Sequence, residues 1–270
     1  MVAKNTEFSY NYPLMSKLKS KDFTLENHQQ VYDHFADYEP SRLLVGLAAN
    51  GLRKAYNPEV TIDDETLKLV EERVESEQPL IFASNHLRID DQFVIGAAIE
   101  AIPAMREARK RGIFVPAKFE YFNGGRFTVI TKPFTETLGG VPVFRRKGIT
   151  PEQEPLFDEA TESFIRMSAQ KLALKQSMII FPEGTRNKVD PHKVQKIYQG
   201  VAKTALLACS EGVSPLIVST ALSYDNALFG VRGPALHFGE AIDPAQGGTV
   251  TSITKRLAKN IQGAVDLLAA

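Results

Sequence analysis

The pattern of hydrophobic and polar positions changes near residue 76. Before it, residues 1–75 show helical periodicity broken by loops at Pro40 and Pro58, and we predict a helical N-terminal region. After it, short apolar runs bounded by glycine, proline or polar residues alternate with longer helical stretches. The apolar runs predict strands at 80–84, 113–117, 141–144, 178–182, 215–222 and 235–239. The stretches between them predict helices at 91–101, 124–138, 152–176, 199–211 and 249–268.

This alternation of strands and helices predicts an α/β fold. Strands joined by helices are parallel neighbours in one sheet, and such a sheet is covered on both faces. We therefore expect a mostly parallel central sheet flanked by helices, with a helical N-terminal region packed on it. The predicted division is a helical region at residues 1–75 and an α/β domain at residues 76–270.

The composition is that of a globular protein without a long-range charge. Of 270 residues, 43% are hydrophobic, and 32 basic residues balance 32 acidic ones. A neutral chain has no field that steers it to nucleic acid, so we expect no such partner. The first residues hold no apolar signal segment, and no apolar run reaches the roughly 20 residues of a membrane span. We expect a cytoplasmic protein, or one peripheral on the cytoplasmic membrane face, with an organelle stroma still open.

A histidine and a carboxylate follow the first strand predicted in the α/β domain. His86 lies at the carboxyl end of that strand, where open α/β sheets bind ligands, and Asp91 lies five residues later. A carboxylate that accepts from one ring nitrogen fixes the tautomer and leaves the other nitrogen as a general base. Two alternatives stay open here: a histidine held for structural reasons, and Asp90 as the partner or as a helix cap.

A second polar cluster, PEGTRN, follows the strand predicted at 178–182. Gly184 permits a tight turn, after which Glu183, Thr185 and Arg186 can face one place. The planar guanidinium of an arginine binds phosphate through paired, charge-assisted hydrogen bonds. The alternative is a plain turn that carries a surface Glu–Arg ion pair.

Taken together, NHLRIDD at 85–91 and FPEGTRN at 181–187 resemble the two main motifs of the glycerolipid acyltransferase family. Members of that family include 1-acylglycerol-3-phosphate and glycerol-3-phosphate acyltransferases, and they carry Asn-His-x4-Asp and Phe-Pro-Glu-Gly-Thr-Arg. The resemblance covers about residues 79–245. Weaker blocks of the same family are resembled by LGGVPVFRR at 138–146, GVSPLIVSTAL at 212–222 and LHFGEAIDP at 236–244.

The resemblance implies an O-acyltransferase that moves a fatty acyl group from a thioester to a hydroxyl beside a phosphate. In that reaction His86, oriented by Asp91, is the general base. Asn85 is implied in positioning the loop or in donating to the oxyanion. The residues implied in binding the acceptor are Lys118, Arg145, Glu183, Gly184, Thr185 and Arg186.

The same resemblance implies the partners. The donor is an acyl thioester, with acyl-CoA and acyl-carrier protein both open, and the acceptor is of glycerophosphate type. No cofactor and no metal are expected. We expect 1-acylglycerol-3-phosphate as the acceptor, with glycerol-3-phosphate as the alternative. Alternatives from other functional classes are a thioesterase and a non-catalytic lipid-binding protein on the same fold.

Two further segments are candidates for lipid contact. The segment 113–134 is rich in aromatic residues that are candidates for lining an acyl groove, with plain core packing as the alternative. A short basic patch is a candidate for peripheral membrane contact, with a solvated helix face as the alternative. The aromatic residues are Phe114, Phe119, Tyr121, Phe122, Phe127 and Phe134, and the basic ones are Arg106, Arg109, Lys110 and Arg111.

Overall fold

A seven-stranded sheet forms the centre of the part of the protein that the structure describes. The structure is a computed structural model, and it describes residues 23–122, 135–136, 138–225 and 233–270. The strands, numbered along the chain, are β1 Glu59–Ile62, β2 Leu80–Ser84, β3 Ile113–Lys118, β4 Gly140–Val143, β5 Ser177–Ile180, β6 Leu216–Ser223 and β7 Ala235–Ile242.

The strand order across the sheet is β1-β7-β6-β2-β5-β3-β4. Each neighbouring pair in it is parallel except β6 with β7. In β2, Ile81 and Ala83 belong to one hydrophobic cluster, while Leu80 and Phe82 belong to the other. Because side chains alternate along a strand, β2 is apolar throughout and is covered on both faces. This confirms the predicted α/β fold with a mostly parallel sheet.

Helices cover the two faces of the sheet. Apolar side chains of α1, α6, α7 and α8 contribute to one cluster, and those of α3, α4 and α5 contribute to the other. Helix α2 lies against α4. The bounds are α1 His28–Asp37, α2 Arg42–Tyr56, α3 Asp64–Glu75, α4 Asp91–Ile99, α5 Pro103–Lys110, α6 Glu154–Ala173, α7 Gly200–Ser210 and α8 Val250–Ala269.

The predicted N-terminal region is not helical throughout, which corrects the expectation for residues 1–75. The strand β1 pairs in parallel with β7, and the Thr61 hydroxyl lies 2.9 Å from His237 Nδ1. Four residues at the edge of a sheet, alternately exposed and half-buried, are too short to produce a readable period. The sheet therefore begins ahead of the boundary predicted near residue 76.

The other predicted elements agree with the structure where it describes them. Predicted strands and helices match within a few residues, as expected for element ends. The helix predicted at 124–138 falls mostly outside the described residues.

Helix α2 carries apolar side chains on its outer as well as its inner face. Val45 and Ala49 are buried, while Leu43, Leu44 and Leu47 are 72%, 49% and 62% exposed. In the ranges that the structure describes, none of the helices combines the length and the apolarity needed to cross a bilayer. The prediction of peripheral membrane contact is neither confirmed nor contradicted by these features.

The side chain of Asn85 extends the pairing of β2 with β6 beyond the end of β2. Its Nδ2 donates to the carbonyl of Leu222 at 3.0 Å, and its Oδ1 accepts from the amide of Leu222 at 2.8 Å. Both residues are buried. Both ends of the amide are thus engaged with backbone, which ties the loop after β2 to β6, and a role for Asn85 as an oxyanion donor stays a prediction.

Replacing Asn85→Ala should lower the free energy of unfolding by about 1–3 kcal/mol, because it leaves a buried backbone N–H and C=O unpaired. Urea denaturation measures this. Asn50→Ala, at an exposed position of α2, is the control, and it should raise stability by a few tenths of a kcal/mol because alanine is the better helix former. Equal effects of the two substitutions would contradict the assigned tether.

Candidate active site

The predicted site residues collect at one edge of the sheet. The strands β2, β3, β4, β5 and β6 run in the same direction. Their carboxyl ends therefore lie along one edge, and in open α/β sheets this is the ligand-binding edge. Residues that stand at or just after those ends are His86, Lys118, Arg145, Glu183 and Tyr224.

A histidine–aspartate pair lies at the centre of this edge. His86 Nδ1 is 2.8 Å from Asp91 Oδ2, and the same oxygen accepts from the amides of Leu87 at 2.6 Å and Arg88 at 2.9 Å. The Asp91 side chain is fully buried, while 18% of the His86 side chain is exposed. Asp91 then accepts from Nδ1–H and leaves Nε2 as the nitrogen open to a substrate.

The alternative partner, Asp90, faces other groups. Its Oδ1 lies 3.3 Å from Arg88 Nε, and its Oδ2 accepts from the Tyr56 hydroxyl at 3.2 Å. Asp91 is therefore the carboxylate that the structure brings to His86. The neighbouring carboxylate ties the loop after β2 to the end of α2.

The PEGTRN turn after β5 holds His86 in place. The ring of Phe181 stacks on the imidazole with centroids 4.1 Å apart and planes 17° apart. The amide of Asn187 donates to the His86 carbonyl at 2.6 Å, and the His86 amide donates to Glu183 Oε1 at 3.2 Å. The second motif therefore fixes both the ring plane and the backbone of the first.

Glu183 belongs to this turn, and its side chain is buried. Its second oxygen, Oε2, accepts from Gln195 Nε2 at 2.7 Å. Burial raises the pKa of Glu183, and the hydrogen bonds from Gln195 and from the His86 amide oppose that rise. Both oxygens are engaged with protein donors in this arrangement. A contact between Glu183 and the acceptor, expected from the sequence, stays a prediction.

The rest of the turn places Arg186 at the edge of the site. Gly184 has φ +66° and its amide donates to the Phe181 carbonyl at 3.0 Å. This left-handed conformation favours glycine, because other residues meet a steric penalty there. Thr185 is exposed and Arg186 is half-buried.

Three cations from three strand ends lie close enough to interact with one another at this edge. They are Lys118 at the end of β3, Arg145 after β4 and Arg186 after β5. Burial, followed by the charges of Arg145 and Arg186, lowers the pKa of Lys118. The mutual repulsion of these cations is relieved when an anion binds among them. The cluster is therefore suited to a phosphate group.

An apolar cavity of about 380 Å³ opens beside this cluster, and both His86 and Arg186 line it. Its walls come from α2, α4 and β3, so that it extends from the strand ends between the sheet and the N-terminal helices. A cavity of this size with few polar groups accommodates an extended apolar ligand. The apolar wall residues include Val45, Ala49, Leu52, Phe93, Gly96, Ile99, Ile113, Val115 and Leu138.

Of the four candidate aromatic residues that the structure describes, three belong to the core, as the alternative of plain core packing expected. Phe114 and Phe122 are 1% and 0% exposed within the hydrophobic core, and Phe119 packs on the ring of Phe144. Tyr121 does line the cavity. The remaining two aromatic residues, Phe127 and Phe134, lie outside the described residues. Sequence reasoning missed the walls from α2 and α4, because the apolar residues of those helices that line the cavity belong to no chemical motif.

The basic patch on α5 is largely engaged within the protein. Arg109 pairs with Glu100, and Lys110 pairs with Glu107. Arg111 donates to two carbonyl oxygens, that of Val74 in the last turn of α3 and that of Gln78 just after this helix. These contacts favour the alternative interpretation, in which the patch is a paired helix surface.

Sequence reasoning also missed Tyr224, which follows the end of β6. Its hydroxyl donates to Asp91 Oδ1 at 2.7 Å. Burial and the neighbouring Asp91 carboxylate raise the pKa of Tyr224, so the phenol stays protonated and remains a donor. No local signal in the sequence marks this residue, because its partner lies 133 positions earlier in the chain.

The comparisons with known proteins agree with this geometry. A search of curated proteins finds no match. Among solved structures, the chain is similar to the crystal structure of the 1-acyl-sn-glycerophosphate (LPA) acyltransferase PlsC from Thermotoga maritima. The TM-score is 0.50 at 17% identity, over 91% of this chain and 80% of that one. The family model described as acyltransferase matches residues 67–223, which include both main motifs and all five parallel strand ends. The chain belongs to this acyltransferase family.

Proposed function

We propose that this acyltransferase moves a fatty acyl group from an acyl thioester to the hydroxyl of 1-acylglycerol-3-phosphate, which makes phosphatidic acid. The observation that carries the proposal is that His86 and two cations, Lys118 and Arg186, line one apolar cavity. The reaction needs cations for the phosphate of the acceptor and an apolar space for an acyl chain, both next to one base. The similar Thermotoga maritima protein is named for the same acceptor.

The chemical step in this proposal begins at His86. Asp91 holds Nδ1, so Nε2 takes the proton of the acceptor hydroxyl as its oxygen attacks the thioester carbonyl. The attack forms a tetrahedral oxyanion. When that intermediate collapses, the carbon–sulfur bond breaks and the thiol leaves with the proton returned by the imidazolium. An ester and a free thiol result, and the histidine is again neutral.

The cations hold the acceptor in this proposal. Arg186, Arg145 and Lys118 surround the phosphate, and an arginine guanidinium pairs with two of its oxygens. The bound phosphate thereby fixes how far the hydroxyl reaches toward His86, so that binding the acceptor also orients it for the reaction. Gly184 and Thr185 belong to the turn that presents Arg186, and Glu183 holds the backbone of His86.

The apolar cavity receives an acyl chain in this proposal. Its walls are mainly aliphatic, and burying a chain there releases about 0.8 kcal/mol for each methylene removed from water. Acyl-CoA and acyl-carrier protein are both suitable donors, since the thioester carbon is the same in each. The reaction uses no cofactor. Peripheral membrane contact stays a prediction.

His86→Ala should lower kcat/KM for acyl transfer by roughly 10²- to 10⁴-fold, because it removes the general base. The assay follows thiol release from oleoyl-CoA, with 1-acylglycerol-3-phosphate and glycerol-3-phosphate offered in separate reactions. His192→Ala, at an exposed histidine, is the matched control and should keep wild-type activity.

The outcomes of this assay separate the candidates. Thiol release that needs both 1-acylglycerol-3-phosphate and His86 supports the proposal. A preference for glycerol-3-phosphate would instead identify that molecule as the acceptor. Release without any acceptor indicates a thioesterase. If oleoyl-CoA gives no release, the same reactions with acyl-carrier protein decide, and failure of both donors would contradict catalysis and favour a lipid-binding protein.

Arg186→Ala should raise the KM for the phosphate acceptor by roughly 10- to 100-fold, because a charge-assisted hydrogen bond is lost. The KM for the acyl donor should stay within about twofold, since the phosphate pairing is confined to the acceptor. Arg146→Ala is the matched control, because Arg146 faces Glu154 and Asp158 at 3.1 and 3.2 Å. An unchanged acceptor KM in the Arg186 variant would remove this residue from the phosphate site.

Gly96→Leu should shift the donor preference toward shorter acyl chains. An added Cβ at Gly96 meets no atom within 4 Å, so the new side chain fills cavity space without a clash. Because each methylene denied burial costs about 0.8 kcal/mol, the kcat/KM for oleoyl-CoA should fall about 10-fold or more relative to octanoyl-CoA. Gly51→Leu is the matched control, because Gly51 is a helical glycine with equally open surroundings on the exposed side of α2. The same shift in both variants would place the acyl chain elsewhere.

A further inference from the structure

We propose that Tyr224 is a positioning residue of this site: by donating to the Asp91 oxygen that does not face His86, it sets how strongly Asp91 attracts a proton onto the imidazole. The inference rests on the proposed role of His86 as a base. It adds a third strand end, that of β6, to a site whose two motifs lie at the ends of β2 and β5.

The two oxygens of Asp91 have different partners. Oδ2 accepts from His86 Nδ1 and from the amides of Leu87 and Arg88. In the described part of the chain, the donor to Oδ1 is the Tyr224 hydroxyl, at 2.7 Å. A fully buried carboxylate cannot replace a lost donor with bulk water, so this single hydroxyl matters.

The phenol itself is held from its other side. The Arg88 guanidinium lies 4.6 Å above the Tyr224 ring, and Arg88 Nε lies 3.3 Å from Asp90 Oδ1. A cation over an aromatic face is attracted to it, and it draws electron density from the ring. The position of Arg88 therefore both locks the ring and strengthens the hydroxyl as a donor.

The direction of the effect follows from electrostatics. A hydrogen bond donated to Oδ1 spreads the negative charge of Asp91, so the carboxylate stabilises a protonated imidazole less strongly. The phenol therefore weakens the pull of Asp91 on a proton at the imidazole. Without the phenol, Asp91 stabilises the imidazolium more strongly. Activity that depends on the neutral imidazole is then lost at a higher pH than in the wild type.

Other charged or titratable groups belong to the elements around His86, and they are unchanged in a Tyr224 variant. A comparison of variant with wild type therefore isolates the contribution of the phenol. The groups are Glu183 and Arg186 after β5, Lys118 on β3, Arg88 and Asp90 in the loop after β2, and Tyr56 at the end of α2.

The test is Tyr224→Phe, which removes one hydroxyl and keeps the ring under Arg88. We expect the acid limb of the kcat/KM profile to move to higher pH by about half to one unit. On the acid side of the profile kcat/KM should fall by about 3- to 10-fold, the factor that half to one pH unit corresponds to, with the acceptor KM nearly unchanged. Tyr56→Phe is the matched control, since that hydroxyl donates to Asp90 instead, and it should leave the acid limb in place. Thermal melts confirm that both variants are folded.

A double-mutant cycle checks that Tyr224 acts through Asp91. In an Asp91→Asn background, Tyr224→Phe should no longer move the acid limb, because the charge that it modulates is absent. An unmoved acid limb in the single variant, or an equal shift in Tyr56→Phe, would overturn the inference. Such results leave the proposed function intact if His86→Ala abolishes transfer. Full activity of His86→Ala would overturn the proposed function itself.

Discussion

The buried carboxylate of Asp91 is the constraint on which the arrangement of the site depends. A charge without solvent contact is costly unless donors surround it. Here the donors come from the loop after β2, as two backbone amides and the His86 ring, and from the end of β6, as Tyr224. Meeting this requirement fixes the loop, the tautomer of the imidazole and the spacing of β2 and β6 at their carboxyl ends. The catalytic geometry and the local fold thus have one common cause.

Parallel strands explain why residues distant in sequence meet at this edge. Because the ends of β2, β3, β4, β5 and β6 lie side by side, one base, three cations and one phenol converge without long loops. The side chain of Asn85 and the backbone of Asn187 then join neighbouring strand ends. Rigid pairing between strands holds these side chains in register, which in the proposed function orients the acceptor toward the base.

The N-terminal helices belong to the same functional unit as the sheet. Helix α2 supplies part of the apolar wall through Val45, Ala49 and Leu52, and Tyr56 at its end binds Asp90. The strand β1, which follows α2, pairs with β7. The cavity between sheet and helix is lined mainly by apolar side chains, which favours an apolar ligand.

The order of strands and helices, the His86–Asp91 spacing and the two motifs could be read from the sequence. These features are local: a buried strand is a run of apolar residues, and a histidine five residues from an aspartate is close to it in any tight turn. The assignment of Lys118 and Arg145 to the acceptor site, beside Arg186, came from the family resemblance. The other inferences need only neighbouring residues and one rule of topology.

The tertiary structure alone decided the rest. It brought Tyr224 to Asp91, engaged both ends of the Asn85 amide and tied Glu183 to the backbone of His86. It also completed the cavity with α2 and α4, and added β1 to the sheet. The physical reason is that a hydrogen bond or a packed wall between distant segments depends on the three-dimensional path of the chain. Composition and periodicity carry no record of that path.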